Sequence, residues 1–425
     1  MTAVVLFLTF IALLLMNVPI AITLGLSSVV ALLAEGVDLI IVPMNVYSSS
    51  SKFVLLAIPF FILGGNIMDK AGISSRLIIL AEKLLGHVKG GMAIVCVIVA
   101  CFFAAISGSG PATVAALGMI IIPAMIKVGY TPDFSSALMA ASGAIGVIIP
   151  PSITFVVYGS IAGVSIGTLF MAGIIPGLIV GLGLCIVALI VGRKLDLKTL
   201  PKATTRERWE AFADAFWGLM MPVIILGGIY GGIFTPTEAA AVSVVYGLFV
   251  GIFIYKCIRL EDLRTLLVTS TSQTAVVMLI TATASLFAWV ITVSGIGAVI
   301  SSSLIGVANG NAIIFFIIIN IVLLIAGAFL DSTSALFIFT PLFLPVARVL
   351  GINLVHLGVV MIVNLAIGLV TPPVGVNLYV AAGIGKLNLQ KISKAAIPLI
   401  VSSVIVLLFV TYIPRISLIL PELLK

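Results

Sequence analysis

Apolar runs fill most of this chain, and their lengths and interruptions predict its elements. The first covers residues 4–16, stops at Asn17-Val18-Pro19 and resumes to residue 34; a third covers 53–68. Residues 70–89 have a different rhythm. There Ile73, Leu77, Leu80, Leu84 and Val88 recur at helical spacing opposite Arg76, Lys83 and His87, which predicts an amphipathic helix along a membrane surface. Two short runs follow, 92–106 and 112–126, separated by Ser107-Gly108-Ser109-Gly110-Pro111. Both fall short of the about 20 residues that a crossing needs, so the pair predicts a re-entrant hairpin. A broken segment over 134–165 and a span over 169–191 complete the first half.

The polar stretch from Arg193 to Asp214 reads as the boundary between halves, with Trp209, Phe212 and Phe216 as interfacial anchors. The second half repeats the order. Spans at 217–232 and 237–255 are joined through Thr235-Pro236-Thr237-Glu238, and a span at 273–293 follows. Short runs flank Asp331-Ser332-Thr333-Ser334, then come a broken segment at 354–384 and a last span at 396–413. At its centre the repeat is literal: Ala144-Ile145-Gly146 with Pro150-Pro151 returns as Ala366-Ile367-Gly368 with Pro372-Pro373, at an offset of 222 residues. The same offset carries Pro123 onto Pro345, Gly129 onto Gly351 and Pro176 onto Pro398. A double proline removes backbone donors and breaks a helix. Within a membrane such a break survives only where protein or a water-lined cavity satisfies the freed carbonyls. One proline kink would be an ordinary structural feature; two in equivalent positions point to a secondary transporter's binding site.

Composition narrows the class. The 425 residues are 62% hydrophobic and 8% charged, against roughly 25% charged in a soluble domain, so the expected fold is an all-α integral membrane protein. The net charge of +7 lies in short loops and forms no compact basic patch with exposed aromatics, which disfavours nucleic acid. Cys96, Cys101, Cys185 and Cys257 lie in or beside apolar segments without a Cys-x-x-Cys pair, so they read as packing residues. No basic residue precedes the first apolar run, and a retained span is expected in place of a signal peptide.

Charge also orients the halves. Each half predicts five crossings plus one hairpin, an odd number, which makes the two repeats inverted. Residues 70–89 hold four Lys/Arg and their counterpart, about 293–311, holds none; 385–394 hold three and their counterpart, 163–172, none. Equivalent loops with opposite bias belong on opposite sides. With both termini outside, 17 of the 21 Lys/Arg are cytoplasmic, leaving Lys52, Arg348, Arg415 and Lys425 outside. This requires residues 1–34 to cross twice.

Several polar clusters can carry chemistry. In Ser107-Gly108-Ser109-Gly110-Pro111-Ala112-Thr113 the glycines allow a tight turn and Pro111 suits a first helical turn. The new helix would aim free amides and its positive dipole end at mid-membrane, where an anionic group fits and the hydroxyls add neutral ligands; the competing reading is a plain capping turn. Asp331, flanked by Ser332, Thr333 and Ser334, is the acid expected deep in a span, as a cation ligand, proton carrier or gate. Capping of the next helix weighs equally for it. The breaks Pro150-Pro151-Ser152-Ile153-Thr154 and Thr371-Pro372-Pro373-Val374-Gly375-Val376-Asn377 free carbonyls beside hydroxyls and an amide, and hard monovalent cations prefer such oxygens. Two or more sodium sites are therefore expected, each between a tip and the neighbouring break.

Other residues read as structural or exclude a class. Thr235-x-x-Glu238 matches a capping box. His87 on a polar helix face and His356 after an outer loop lack partners at metal spacing. No histidine is expected at the depth of Ser109 to act as a base, so an enzyme is not expected. The chain holds no phosphate-binding Gly-x-x-x-x-Gly-Lys-Ser/Thr loop, so neither ATP nor an organic cofactor is expected.

The chain resembles the large membrane subunit of tripartite ATP-independent periplasmic (TRAP) transporters over essentially its whole length. The likeness rests on Ala105-Ile106-Ser107-Gly108-Ser109-Gly110-Pro111-Ala112-Thr113, Gly146-x-x-x-Pro150-Pro151-Ser152, Gly232-Ile233-Phe234-Thr235-Pro236-Thr237-Glu238-Ala239 and Thr371-Pro372-Pro373-Val374-Gly375. It implies a sodium-driven, elevator-type importer of organic acids, C4-dicarboxylates or sialic acid, in a bacterial inner membrane. The implied partners are a small four-helix membrane subunit and a soluble periplasmic binding protein. The expected division is 1–69 scaffold, 70–89 surface helix, 90–168 hairpin and broken helix, 169–192 last span of the repeat and 193–216 cytoplasmic linker. In the second half it is 217–272 scaffold, 273–395 third span, hairpin and broken helix, and 396–425 last span and C-terminus.

The expected sodium ligands are Ser107, Gly110, Pro150, Ser152 and Thr154 in one half, and Gly327, Asp331, Thr333, Thr371 and Gly375 in the other. Substrate is expected at Ser107, Gly108, Ser109, Gly110, Thr113, Ser152, Asp331, Ser332, Thr333 and Asn377. A stand-alone anion carrier and a channel are the alternatives, the channel disfavoured by the lack of a charged ring or repeated filter.

Overall fold

Helix starts recur at the spacing of the repeat, and several are capped by a side chain where they start. The computed structural model describes residues 2–424. Helices α1 (Thr2–Leu15), α2 (Ile20–Glu35) and α3 (Ile41–Ser50) come first, then a 3-10 turn at Phe53–Leu56 leading into α4 (Ala57–Lys70) and α5 (Ile73–Leu85). The hairpin is α6 (Gly91–Ser107) and α7 (Gly110–Lys127), and the first broken helix is α8 (Pro132–Ala144) and α9 (Ile153–Ala162), followed by α10 (Ile166–Arg193). The second half holds α11 (Thr205–Tyr230), α12 (Pro236–Phe249), α13 (Leu260–Val293) and α14 (Ile296–Ala308). Its hairpin is α15 (Ala312–Gly327) and α16 (Ser332–Val349), its broken helix α17 (Leu354–Gly368) and α18 (Val376–Gly385), and α19 (Leu389–Tyr412) and α20 (Arg415–Leu423) end the chain.

Local chemistry explains the matched starts. Thr131 accepts from the Phe134 N–H before α8, and Asn353 accepts from Val355 before α17. Ser165 and Asn388 cap α10 and α19 in the same way. Such side-chain acceptors satisfy amides that a helix start leaves unpaired. Both double prolines are cis.

Two groups of helices result. Helices α4 and α12 pack together, α13 lies across α2, α3 and α4, and α11 lies on α5. The hairpins and broken helices interleave: α18 packs on α7 and α8, and α9 on α16 and α17. Close approach depends on small residues, as expected where lipid removes the hydrophobic drive between helices. The Tyr158 ring sits where a Gly358 Cβ would fall 2.3 Å from Cε1, and its hydroxyl donates to Leu354 O at 2.7 Å. Among the described residues eight helical stretches are long and apolar enough to cross a membrane, so the protein is a multi-pass, all-helical membrane protein.

Some elements differ from the sequence reading. The stretch 193–216 is only partly a linker, because the Thr204–Glu207 capping box starts α11 at Thr205 and the helix runs on without interruption. Helix α13 begins at Leu260, ahead of the expected span at 273. The short helices α3 and α20 were not anticipated. Ile73, Leu77 and Leu80 of α5 are buried, whereas Leu84 in its last turn and Val88 beyond its end at Leu85 are exposed. His356 follows a loop, as expected, and is buried in the first turn of α17, its ring nitrogens 2.8 Å from Ser417 Oγ and 3.1 Å from Thr411 O.

Candidate functional site

The first hairpin tip is closed by hydroxyls and joined to the break beside it. Gly108 ends α6 in the left-handed region at φ 60°. Ser107 Oγ lies 2.7 Å from Thr113 Oγ1, and Thr113 donates to Ser109 O at 2.8 Å. Across from it, the Ile153 N–H donates to Gly108 O at 3.4 Å. Ser152 and Thr154 both donate to the freed carbonyl of Val147, at 2.7 and 2.9 Å. A Cβ on Gly146 would fall 2.8 Å from Thr113 Oγ1 and 2.9 Å from Ser109 O. Tip and break therefore touch through backbone, and Pro150, Pro151 and Ser152 are buried.

The second half repeats the bridge with different chemistry. Val374 and Gly375 N–H groups donate to Ala328 O at 3.2 and 3.4 Å, and Gly327 packs on Gly368. Thr371 returns its hydroxyl to Ile367 O at 2.8 Å. Asp331 caps α16: Oδ2 accepts from the Thr333 and Ser334 N–H groups, each at 3.0 Å, and Oδ1 accepts from the Ser334 hydroxyl. Ser332 Oγ and Asn377 Oδ1 are buried without a partner. Pro372 and Pro373 are exposed, so the second break is open where the first is sealed.

The two halves meet at Asn377 and Gly110. Asn377 Nδ2 donates to Ala140 O at 3.0 Å, and a Cβ on Gly110 would fall 3.2 Å from the Asn377 amide atoms. Ser109 precedes α7 without a side-chain cap, whereas Asp331 supplies one to α16. One hairpin helix thus keeps free amides and a positive end at its tip, and the other has its positive end covered by a carboxylate.

A cavity of about 520 Å³ lies against the first tip, lined by Ser107, Ser109 and Pro111 with Gly65, Asn66 and Gln273 from α4 and α13. Ser107 and Ser109 are the expected site residues that line it. Gly108, Gly110 and Thr113 lie buried behind the tip, Ser152 and Thr154 turn onto Val147 O, and Asp331, Ser332, Thr333 and Asn377 do not line it. Sequence reasoning passed over Asn66, Asp69 and Gln273, which also border this space. Asn66 donates to Ser270 Oγ at 2.8 Å and to Gln273 Oε1 at 2.9 Å. An amide inside or beside an apolar span was the available signal. Among the described residues no group of three or more His, Cys, Asp or Glu could hold a metal ion, and apart from the Asp331 carboxylate the tips and breaks offer neutral oxygens.

Comparison with known proteins accounts for this arrangement. Residues 7–416 match the family described as "Tripartite ATP-independent periplasmic transporter, DctM component". The chain is 44% identical over 416 residues to the isethionate TRAP transporter permease protein DctMQ of Oleidesulfovibrio alaskensis, matching over 97% of its own length and 65% of that protein's. It is 40% identical to the C4-dicarboxylate TRAP transporter large permease protein DctM of Rhodobacter capsulatus, over 100% of both chains. It is 39% identical to the sialic acid TRAP transporter large permease protein SiaM of Vibrio cholerae, over 88% of this chain and 87% of that one. Among solved structures, the Alcanivorax borkumensis YdaH transporter aligns with a TM-score of 0.62 at 12% identity, covering 87% of each chain, a likeness of fold alone.

Proposed function

The chain belongs to the DctM-component family of TRAP transporters, and on that premise we propose that it imports an organic anion on a sodium gradient. It is the large membrane subunit of a secondary transporter and no enzyme. The family implies a small membrane subunit and a periplasmic binding protein as partners. The small subunit would be the four-helix kind, and the complex would sit in a bacterial inner membrane with both termini of this chain periplasmic. The relatives are named for isethionate, C4-dicarboxylates and sialic acid, and the substrate class proposed here is a small organic acid bearing a carboxylate or sulfonate.

The observation that carries this reading is the unequal capping of the two tips. The uncapped start of α7, whose first-turn residues Pro111 and Ala112 line the 520 Å³ cavity together with Ser107 and Ser109, suits an anionic head group there. Sodium would take oxygens of Ser107–Gly110 with Pro150–Thr154, and of Gly327–Thr333 with Thr371–Gly375. The unpartnered Ser332 Oγ and Asn377 Oδ1 fit that demand for neutral oxygens, because a buried acceptor without a partner is costly until something fills it. Sodium ordering the tips before substrate binds would let the hairpins and broken helices cross hydrocarbon loaded, moving as an elevator against α1, α2, α4 and α11–α13, and resist crossing half-loaded.

The test is uptake into liposomes holding the complex, with an inward sodium gradient and a panel of malate, isethionate and N-acetylneuraminate. Saturable uptake of one acid that collapses with the gradient is the expected result. Uptake indifferent to sodium would discard the ion assignment, and uptake by this chain alone would make it a stand-alone carrier.

A further inference from the structure

Lys52 stands at the start of the 3-10 turn that leads into α4, at the opposite end of that helix from Asp69 and the tip cavity. It borders two further cavities. One, of about 760 Å³, lies between the α9–α10 turn and the loop before α12, with Ser165, Thr235 and Thr237 in its wall. The other, of about 320 Å³, is walled by Asn45, Ser48, Ser49, Trp289 and Thr292. Lys52 lines both, and no other charged residue lines either.

The lysine is also unpaired. None of the ion pairs among the described residues includes it, and its one bond is donation from Nζ to Ser160 O at 3.3 Å. An ammonium has three donors, so two remain for a ligand. No acid lines either cavity, and the neighbouring Glu238 is engaged by the Thr235 cap of α12, so the ammonium is the charge these hydroxyl-bearing walls present to an anion.

We propose that Lys52, between these two cavities, is a binding site for a small organic carboxylate or sulfonate, separate from the hairpin tips and at the other end of α4. The oxyanion accepts from Nζ while the surrounding hydroxyls complete its shell. Lys52 reaches from the α4 side to Ser160 on α9, so an anion held by its two remaining donors sits where the two groups of helices meet. The choice of ligand rests on the proposed anion transport; the site itself rests on Lys52 and the two cavities.

Trp289 shares the smaller cavity with Lys52, which provides a reporter. With Trp209→Phe and Trp217→Phe, Trp289 is the remaining tryptophan, and the purified full chain is titrated with malate, isethionate, N-acetylneuraminate and, as a simple anion, chloride. The expected result is a saturable fluorescence change with one of the organic acids and none with chloride. It weakens at least about tenfold in Lys52→Gln and stays within about threefold in Lys52→Arg, as loss of a charge-assisted bond implies. An unchanged curve in Lys52→Gln, or no response to any of the three acids, overturns the proposal. Sodium-driven uptake by the unaltered complex is measured alongside. Uptake without a Trp289 response removes this site and leaves the transport reading standing, whereas a response without uptake does the reverse.

Discussion

Asn377 and Ala140 are joined by a 3.0 Å hydrogen bond from the side-chain amide to the carbonyl oxygen, across 237 positions of chain. The bond fastens α18 of one half to α8 of the other, beside Gly110 at the first tip. Ala140 O lies within a helix and keeps its intrahelical partner, so Asn377→Ala costs only the net value of one hydrogen bond, about 1 kcal/mol. Asn377→Asp removes the donor and places a carboxylate in a fully buried position. An unpaired buried charge is far more expensive, so the aspartate variant should melt well below the alanine variant. Thermal unfolding of the two would check this, and equal melting points would contradict the pairing.

Gly108→Ala tests the closeness of tip and break. Gly108 has φ 60°, and a Cβ there would lie 2.9 Å from Pro151 O. A left-handed alanine alone costs about 1–2 kcal/mol. Gly163 has φ 69° with nothing within 4 Å of a Cβ, so Gly163→Ala carries the conformational cost without the collision. The expected outcome is that both variants lose a similar conformational term, and only Gly108→Ala also loses most sodium-dependent uptake. Parallel losses in melting and uptake assays would mean that the tip-to-break contact has no role in transport.

The broken helices were legible because a double proline has one local consequence that no packing can override. The 222-residue offset likewise places α7 and α16 at matching starts, Gly110 and Ser332. Less was visible where neighbours decide. The polar residues of 205–216 gave no apolar signal, yet the Thr204–Glu207 cap and contacts with α5 make them helical. Nor could spacing reveal that Ser152 and Thr154 turn onto Val147 O, or that Asn66 and Gln273 face the tip cavity from separate helices. Pairing of residues 207 positions apart is a property of the packed bundle, and single-chain periodicity carries no trace of it.

Asp331 can be divided into cap and charge. Its carboxylate accepts two amides and one hydroxyl of its own helix start. Asparagine ranks with aspartate as an N-cap, whereas alanine loses about 0.5–2 kcal/mol. Asp331→Asn should therefore leave thermal stability nearly unchanged while Asp331→Ala lowers it. If the charge also helps hold sodium at the second tip, Asp331→Asn raises the sodium concentration for half-maximal uptake about tenfold, the scale of one charge-assisted contact. An unchanged sodium dependence would reduce Asp331 to its capping role.

The last prediction concerns how α11 is held on α5. Arg76 and Lys83 both make ion pairs to α11, with Asp214 and Glu207, each at 3.0 Å. Equal distances do not mean equal worth. Lys83 and Glu207 are both substantially solvent-exposed, and such pairs contribute about 0–1 kcal/mol. Arg76 is more enclosed; it also donates to Ala71 O at 3.0 Å and Gly72 O at 3.1 Å, and its guanidinium lies 3.8 Å from the Tyr255 ring centroid. A stacked, forked guanidinium is not replaced by an ammonium. Lys83→Gln should shift the melting temperature marginally, and any shift should vanish at high salt. Arg76→Lys should destabilise measurably more, by about 1–2 kcal/mol, and retain most of that loss at high salt, because the carbonyl bonds and the ring contact are sheltered. Equal, salt-sensitive losses would mean that α11 is held by charge alone.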